Sequence, residues 1–328
     1  MAIKKDFIGI VSVRDNYLDF AKGFLILLVV LFHSSFMGES KEIMIQLEEY
    51  VYLFHVQSFF VISGVLVARK VLNGFRVDVY RLLFLYLLFF CLYLFLLWFA
   101  HSVLGITHTK NSPPDDVREL LYAIFVAPYG SFWFLYQLII YTGVAAFMSY
   151  CIRQKYKLHA VFIFSLLVVS ISPYLFIVKP NMFWFYLLGV FLGALKLNSY
   201  KMCKVNISII AALLISAFTI QLPISMLLAV LFFASFSYLI YLVLNASVGI
   251  RTLSWFGSNS LSIFVFHVFP LNLVFLANAS LLRIDSSGVL LASVVTIAAV
   301  LFSIFMAKSF DYFNISTKIL GKNLYVPY

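Results

Sequence analysis

The chain has 328 residues, of which 64% are apolar, 19% are aromatic and only 11% are charged, with a net charge of +10. A soluble domain carries about 25% charged residues, so a water-soluble globule of this size is excluded. The positive balance reads as membrane topology and not as nucleic-acid binding, because the basic residues sit in short segments between apolar runs.

A helix that crosses a bilayer needs about 20 apolar residues, within a range of roughly 17–25. Runs of that kind lie at about 18–36, 47–68, 79–104, 131–151, 158–178, 180–195, 205–220, 223–244, 258–277 and 288–310. The first begins near Leu18 after a basic stretch and lacks a small-residue cleavage site, which reads as an uncleaved first helix. Between the third and fourth, Pro113, Pro114, Asp115 and Asp116 mark 105–130 as mostly loop, with a short re-entrant piece at 119–127 as an option. Only Lys179-Pro180 joins the fifth run to the sixth, which makes them a tight hairpin. Nothing reads as a soluble domain or a disordered tail, so 1–328 is expected to be one membrane domain. Cys91, Cys151 and Cys203 lie far apart, with no zinc or redox spacing, and no metal site is expected.

Charge orients these runs. With the N-terminus inside, ten spans return the C-terminus inside. Eighteen Lys and Arg then fall in inside segments, and five (Lys41, Lys110, Arg118, Lys179 and Arg283) fall outside. That asymmetry supports both the count and the orientation. The expected fold is an all-α integral membrane protein of about ten transmembrane helices with both termini cytoplasmic.

The polar residues inside the runs carry the functional signal. None of the 13 acidic residues lies mid-span, which counts against an ion-coupled transporter. His33, His55 and His267 do lie deep in runs one, two and nine, and an ionisable side chain at that depth is a functional hypothesis. Lys22 and His33 are eleven positions apart, about 16 Å along a helix and about three turns, so they share one face. Such a stripe lines a path through the protein, or else His33 bonds a neighbour while Lys22 snorkels. Arg69, Lys70, Arg76 and Arg81 crowd the second inside segment. They are the topology signal itself, or a grip for phosphates.

The stretch LDFAKGFLILLVVLFHS, Leu18 to Ser34, resembles the first helix of the membrane acyltransferase family 3, where ten residues separate a cation from a His. FHVQSFFVISGVL, Phe54 to Leu66, resembles the second helix, with Phe59, Phe60, Ser63 and Gly64 on its core pattern. RLLFLY, Arg81 to Tyr86, is similar to the start of the third, with Leu85 in place of the usual proline. SFWFLYQL, from Ser131, is similar to the Trp-Phe-Leu element. FWFYLLGVFLG resembles the later aromatic helix, with Gly189 and Gly193. SLSIFVFHVF, Ser260 to Phe269, resembles a late helix that ends in His, with Phe264 where Tyr is frequent.

The resemblance implies ten core helices and an O-acetyltransferase. Acetyl-coenzyme A would be the cytoplasmic donor, with no permanently bound cofactor. A hydroxyl of a cell-surface glycan, or of its lipid-linked precursor, would be the acceptor, in a bacterial inner membrane. The motifs are close in wording to the fucose 4-O-acetylase-like, membrane-only subgroup, without a hydrolase-like domain after residue 311. On the residues matched, His33 would be the general base or the carrier of an acyl-His intermediate. Lys22 would sit between the donor's phosphates and His33, with Asp19 orienting it by an i,i+3 pair. Arg81, with Arg76, Arg69 and Lys70, would hold the phosphates. Ser63 and Gly64 would allow close helix packing or the passage of a pantetheine arm. His55, Trp133 and His267 would line the acceptor cavity, Trp133 by stacking on a sugar or as an interfacial belt residue. The competing reading is a transporter or flippase for a lipid-linked glycan that uses the same cavity without chemistry.

Overall fold

The computed structural model describes residues 15–34, 41–72, 78–103, 112–151, 179–195, 224–244, 247–271 and 287–327. Within them the chain forms α1 (Asn16–Ser34), α2 (Lys41–Tyr52), α3 (His55–Leu72), α4 (Val79–Ser102), α5 (Val117–Phe125) and α6 (Phe132–Cys151). These are followed by α7 (Pro180–Ala194), α8 (Ile224–Val243), α9 (Val248–Ser258), α10 (Ser260–Phe266), α11 (Val289–Tyr312) and α12 (Ile315–Leu320). No strand occurs among the described residues.

Five of these segments are long and apolar enough to cross a membrane: Asn16–Ser34, Met44–Leu72, Val79–Ser102, Ser225–Val243 and Val289–Tyr312. Three shorter apolar helices, Phe132–Phe147, Pro180–Ala194 and Ser260–Leu271, fall on further expected runs. The runs expected at 158–178 and 205–220, and with them the hairpin at Lys179-Pro180, lie outside the described residues. The outer faces of α4, α8 and α11 are apolar: Trp98, Phe232 and Phe305 are 49%, 69% and 64% exposed. Lipid solvates such faces where water would not.

Local chemistry sets several helix boundaries differently from the hydropathy runs. The second run is broken at Leu53–Phe54, where the helical path jogs between α2 and α3. Within 105–130, Val117–Phe125 is helical. Asp116 accepts from the Glu119 amide at 2.7 Å, and the Glu119 carboxylate accepts from the Asp115 amide at 3.0 Å. This reciprocal cap satisfies otherwise orphaned donors at the helix start. α4 runs unbroken from Val79 through Leu85, which is buried at the position where the resembled family usually has proline. A further helix, α9, precedes the ninth run: Ser247 caps it, and the chain turns at Asn259 before the apolar helix that falls on that run.

Two backbone contacts organise the packing. α1 meets α9 where Gly23 faces Gly257: a Cβ on Gly257 would lie 1.7 Å from the Asp19 carbonyl oxygen, and one on Gly23 would lie 1.8 Å from that of Leu253. α3 meets α7 in the same way. A Cβ on Gly64 would lie 2.1 Å from the Tyr186 oxygen, and one on Gly189 would lie 2.0 Å from that of Val61. Lipid offers helices no hydrophobic drive to associate, so small residues that admit close van der Waals contact supply it. A third link ties the end of α1 to α11, through Ser34 Oγ and Thr296 Oγ1 at 2.9 Å.

Candidate functional site

Between the α1–α9 and α3–α7 pairs lies a cavity of about 330 Å³, at the lower end of the roughly 300–1,000 Å³ usual for ligand pockets. α1 contributes Lys22, Ile26, Val29 and His33 to it, a spacing of three to four residues that keeps all four on one helical face. α3 contributes His55, Phe59 and Ser63 among others, α6 contributes Trp133, and the segment after α12 contributes Lys322. The stripe read from the first helix is therefore the wall of an actual cavity.

At one end of that wall, His33 Nδ1 lies 3.0 Å from His267 Nε2, with the two rings nearly parallel at 7°. His267 is fully buried and turns its Nδ1 to the Phe264 and Ile263 carbonyls at 2.7 and 3.1 Å. Carbonyls only accept, so His267 Nδ1 carries the hydrogen and its Nε2 carries a lone pair. His33 Nδ1 then donates to that lone pair. The neutral tautomer of His33 so fixed places its basic nitrogen at Nε2, the arrangement a proton acceptor needs. The partner that sets this tautomer sits on α10's C-terminal turn, far away in sequence.

His55 lines the same end. It hydrogen-bonds the Val51 carbonyl through Nδ1 at 2.8 Å, and its ring meets Tyr52 edge-on at 4.7 Å. Trp133 opens α6 beside it, with one ring face taken by the Lys179 ammonium at 3.8 Å. Burial lowers the pKa of Lys179. Ser131 also lines the cavity, and its buried hydroxyl finds no hydrogen-bond partner among the described residues.

At the other end, Lys22 Nζ pairs with Asp19 at 2.7 Å, three residues earlier on α1. Asp19 is buried and Lys22 largely so, and losing one partner would leave the other charge poorly solvated. Lys70, at the end of α3, and Arg81, at the start of α4, lie close enough to Lys322 to repel its charge, as does Lys22. Lys322 is exposed as a residue. Its ammonium nevertheless loses hydration among protein atoms, and that loss, with the three neighbouring cations, lowers its pKa against a smaller opposing effect of Asp78. The start of α1, the end of α3, the start of α4 and the segment after α11 thus share one end of the bundle, as alternating spans require.

The sequence-predicted residues divide as follows. Lys22, His33, His55, Ser63 and Trp133 line the cavity. Asp19 holds Lys22 and His267 holds His33. Arg81 pairs with Asp78 at 3.3 Å beside the mouth, and Arg69 pairs with Asp15 at 3.0 Å, tying α3 to the start of α1. Gly64 faces away from the cavity, into the α3–α7 contact. Arg76 lies outside the described residues. Lys322 and Ser131 were not singled out from sequence. One looks like an ordinary tail cation and the other like an ordinary serine before a helix, and only the cavity identifies them.

A family model described as an acyltransferase domain matches residues 15–308. The chain therefore belongs to membrane acyltransferase family 3, and acyl transfer is its type of activity. Neither a curated protein nor a solved structure matches it.

Proposed function

We propose that this acyltransferase moves an acetyl group from cytoplasmic acetyl-coenzyme A to a hydroxyl of a cell-surface glycan or its lipid-linked precursor, as a ten-span protein of a bacterial inner membrane with both termini inside. The observation that carries the reading is one cavity with a cationic mouth and, on the same face of α1, a histidine whose tautomer is set by a second histidine. A phosphate-bearing thioester suits the first feature, and proton removal from a hydroxyl suits the second.

The chemistry follows from that arrangement. The acceptor hydroxyl gives its proton to His33 Nε2 as its oxygen bonds to the thioester carbon. The C–S bond then breaks, and the imidazolium returns the proton to the leaving sulfur. His267 keeps the imidazole oriented throughout and accepts from its Nδ1–H, a bond that strengthens when His33 becomes charged. General-base assistance of this kind contributes roughly 10²–10⁴-fold. Lys22, held by Asp19, stands between the phosphates and the reacting carbon. Lys70 and Arg81 add positive potential at the mouth. Ser63 lies where the thiol arm would run, and Ser131, His55 and Trp133 surround the acceptor.

The test compares ester-linked acetyl on surface glycan from cells lacking the protein and from cells carrying wild type, His33→Ala or Arg81→Ala, each confirmed in the membrane. Acetyl that appears with wild type and is lost in His33→Ala supports the reading. Full acetylation by membrane-inserted His33→Ala removes His33 from the chemistry. No gain of glycan acetyl with wild type removes the proposed acceptor. Rescue of Arg81→Ala by raised donor concentration supports its place at the donor end.

A further inference from the structure

Beyond Tyr312 the chain does not trail away. It folds back along α9, α10 and α11 as a strap held almost entirely by side chains gripping its backbone. Asp311 accepts from the amides of Leu324 and Tyr325 at 2.8 Å each, and from the Ser316 hydroxyl. Asn259 pairs with Val326 in both directions, donating to its carbonyl at 3.0 Å and accepting from its amide at 2.8 Å. Trp255 Nε1 donates to the same carbonyl at 2.9 Å, and Ser262 donates to that of Leu324 at 2.9 Å. Leu324 is buried, and the Lys308 ammonium sits over the Tyr325 ring at 4.7 Å. Such a set fixes the register of residues 324–326 to within one residue, and so fixes where the preceding residues lie.

What the strap delivers is a charge. Gly321, at φ +66°, is packed so closely that a Cβ there would lie 2.9 Å from Arg81 Nη2. The next residue, Lys322, lines the cavity. It joins Lys22, Lys70 and Arg81 although each of them repels it. Among the described residues neither Lys70 nor Lys322 forms an ion pair. Lys22 and Arg81 keep the carboxylates of Asp19 and Asp78, so the unmatched charge at the mouth is that of Lys70 and Lys322, a potential that an anion relieves. The matched family region stops at residue 308, so this contribution lies past it.

We propose that the carboxy-terminal strap is part of the donor site, placing Lys322 at the cavity mouth to bind the phosphates of a nucleotide-bearing acyl donor together with Lys22, Lys70 and Arg81. This rests on the donor reading given above. The strap thereby makes an intact C-terminal segment a condition for donor affinity and leaves the histidine end untouched.

The test is calorimetric titration of coenzyme A into the full-length protein in phosphatidylcholine nanodiscs, for wild type, Lys322→Gln, Lys322→Arg and Lys318→Gln. Lys318 is exposed on α12 and lines no part of the cavity, so it controls for loss of one charge. Equal melting temperatures establish that the variants are folded. Expected is a roughly 3- to 10-fold weaker affinity in Lys322→Gln, near-wild-type affinity in Lys322→Arg and no change in Lys318→Gln. Equal losses in the Gln variants, or no loss in Lys322→Gln while wild type binds, overturn the strap's role and leave the donor reading intact. Wild type that binds no coenzyme A overturns both. Loss in Lys322→Gln that appears only in discs containing phosphatidylglycerol assigns Lys322 to a lipid headgroup and overturns the proposal.

Discussion

His33 Nδ1 donates across 3.0 Å to Nε2 of His267, a residue that its own backbone carbonyl contacts hold in one tautomer. The relationship joins α1 to α10 and decides which nitrogen of His33 does chemistry. Replacing His267 with Leu nearly keeps the volume and removes the acceptor. Turnover is expected to fall roughly tenfold, the worth of one well-made hydrogen bond, with donor affinity unchanged and the pH profile of turnover displaced. A fall in donor affinity with an unchanged profile would mean that His267 only supports packing. His33→Ala, by contrast, is expected to lose roughly 10²–10⁴-fold.

Asp19 and Lys22 make the largely buried ion pair at the other end of the stripe. Asp19→Asn leaves the Lys22 charge without its carboxylate and is expected to cost about 1.5–3 kcal/mol, read as a lower melting temperature in detergent. Restoring melting behaviour with Asp19→Asn plus Lys22→Met, but not transfer, would separate the pair's structural contribution from its part in the reaction.

The Gly23–Gly257 contact leaves no room for a methyl group. Gly257→Ala is expected to destabilise the protein by about 1–3 kcal/mol or more. Gly249→Ala, on the same helix but without close backbone neighbours, serves as the neutral comparison in the same melting experiment.

Ser131 offers a case in which stability and function pull apart. Its hydroxyl is buried and lacks a partner among the described residues, a state that costs about 1–3 kcal/mol. Ser131→Ala is expected to raise the melting temperature of the ligand-free protein and to lower glycan acetylation. A variant that melts higher and acetylates at the wild-type level would show that the hydroxyl meets no substrate.

Lys322 binds phosphate only while protonated, and burial with neighbouring Lys70, Arg81 and Lys22 lowers its pKa against Asp78. Donor affinity should therefore be greater at neutral than at alkaline pH. It should weaken as pH rises into the alkaline range, beginning below the usual lysine value of about 10.4. Lys322→Arg keeps its charge there and is expected to bind at alkaline pH as it does at neutral pH. Coenzyme A titrations at both ends of that range check it.

What the sequence disclosed was whatever has a period or a charge. The eleven-residue step from Lys22 to His33 put both on one face without any structure, and apolar runs located α4, α7, α8 and α11. Elements set by local bonding did not show: α9, which begins at a Ser247 cap and presents a mixed face, precedes the apolar run and was not read as a helix. Gly64 and Ser63 are adjacent and were read together, yet a helix turns neighbours about 100° apart. One faces the cavity and the other faces α7. The His33–His267 bond spans 234 positions, and the mouth position of Lys322 depends on Asp311 and Asn259 gripping a tail backbone. No local pattern encodes either.

The two glycine contacts divide the cavity wall into two stiff halves. His33, His267 and Lys22 belong to the half built on α1 with α9 and α10; His55 and Ser63 belong to the half built on α3 with α7. The bond that orients the base never crosses the gap between them. A substitution on α3 or α7 is therefore expected to reshape the acceptor's side of the cavity while the reacting nitrogen keeps its aim.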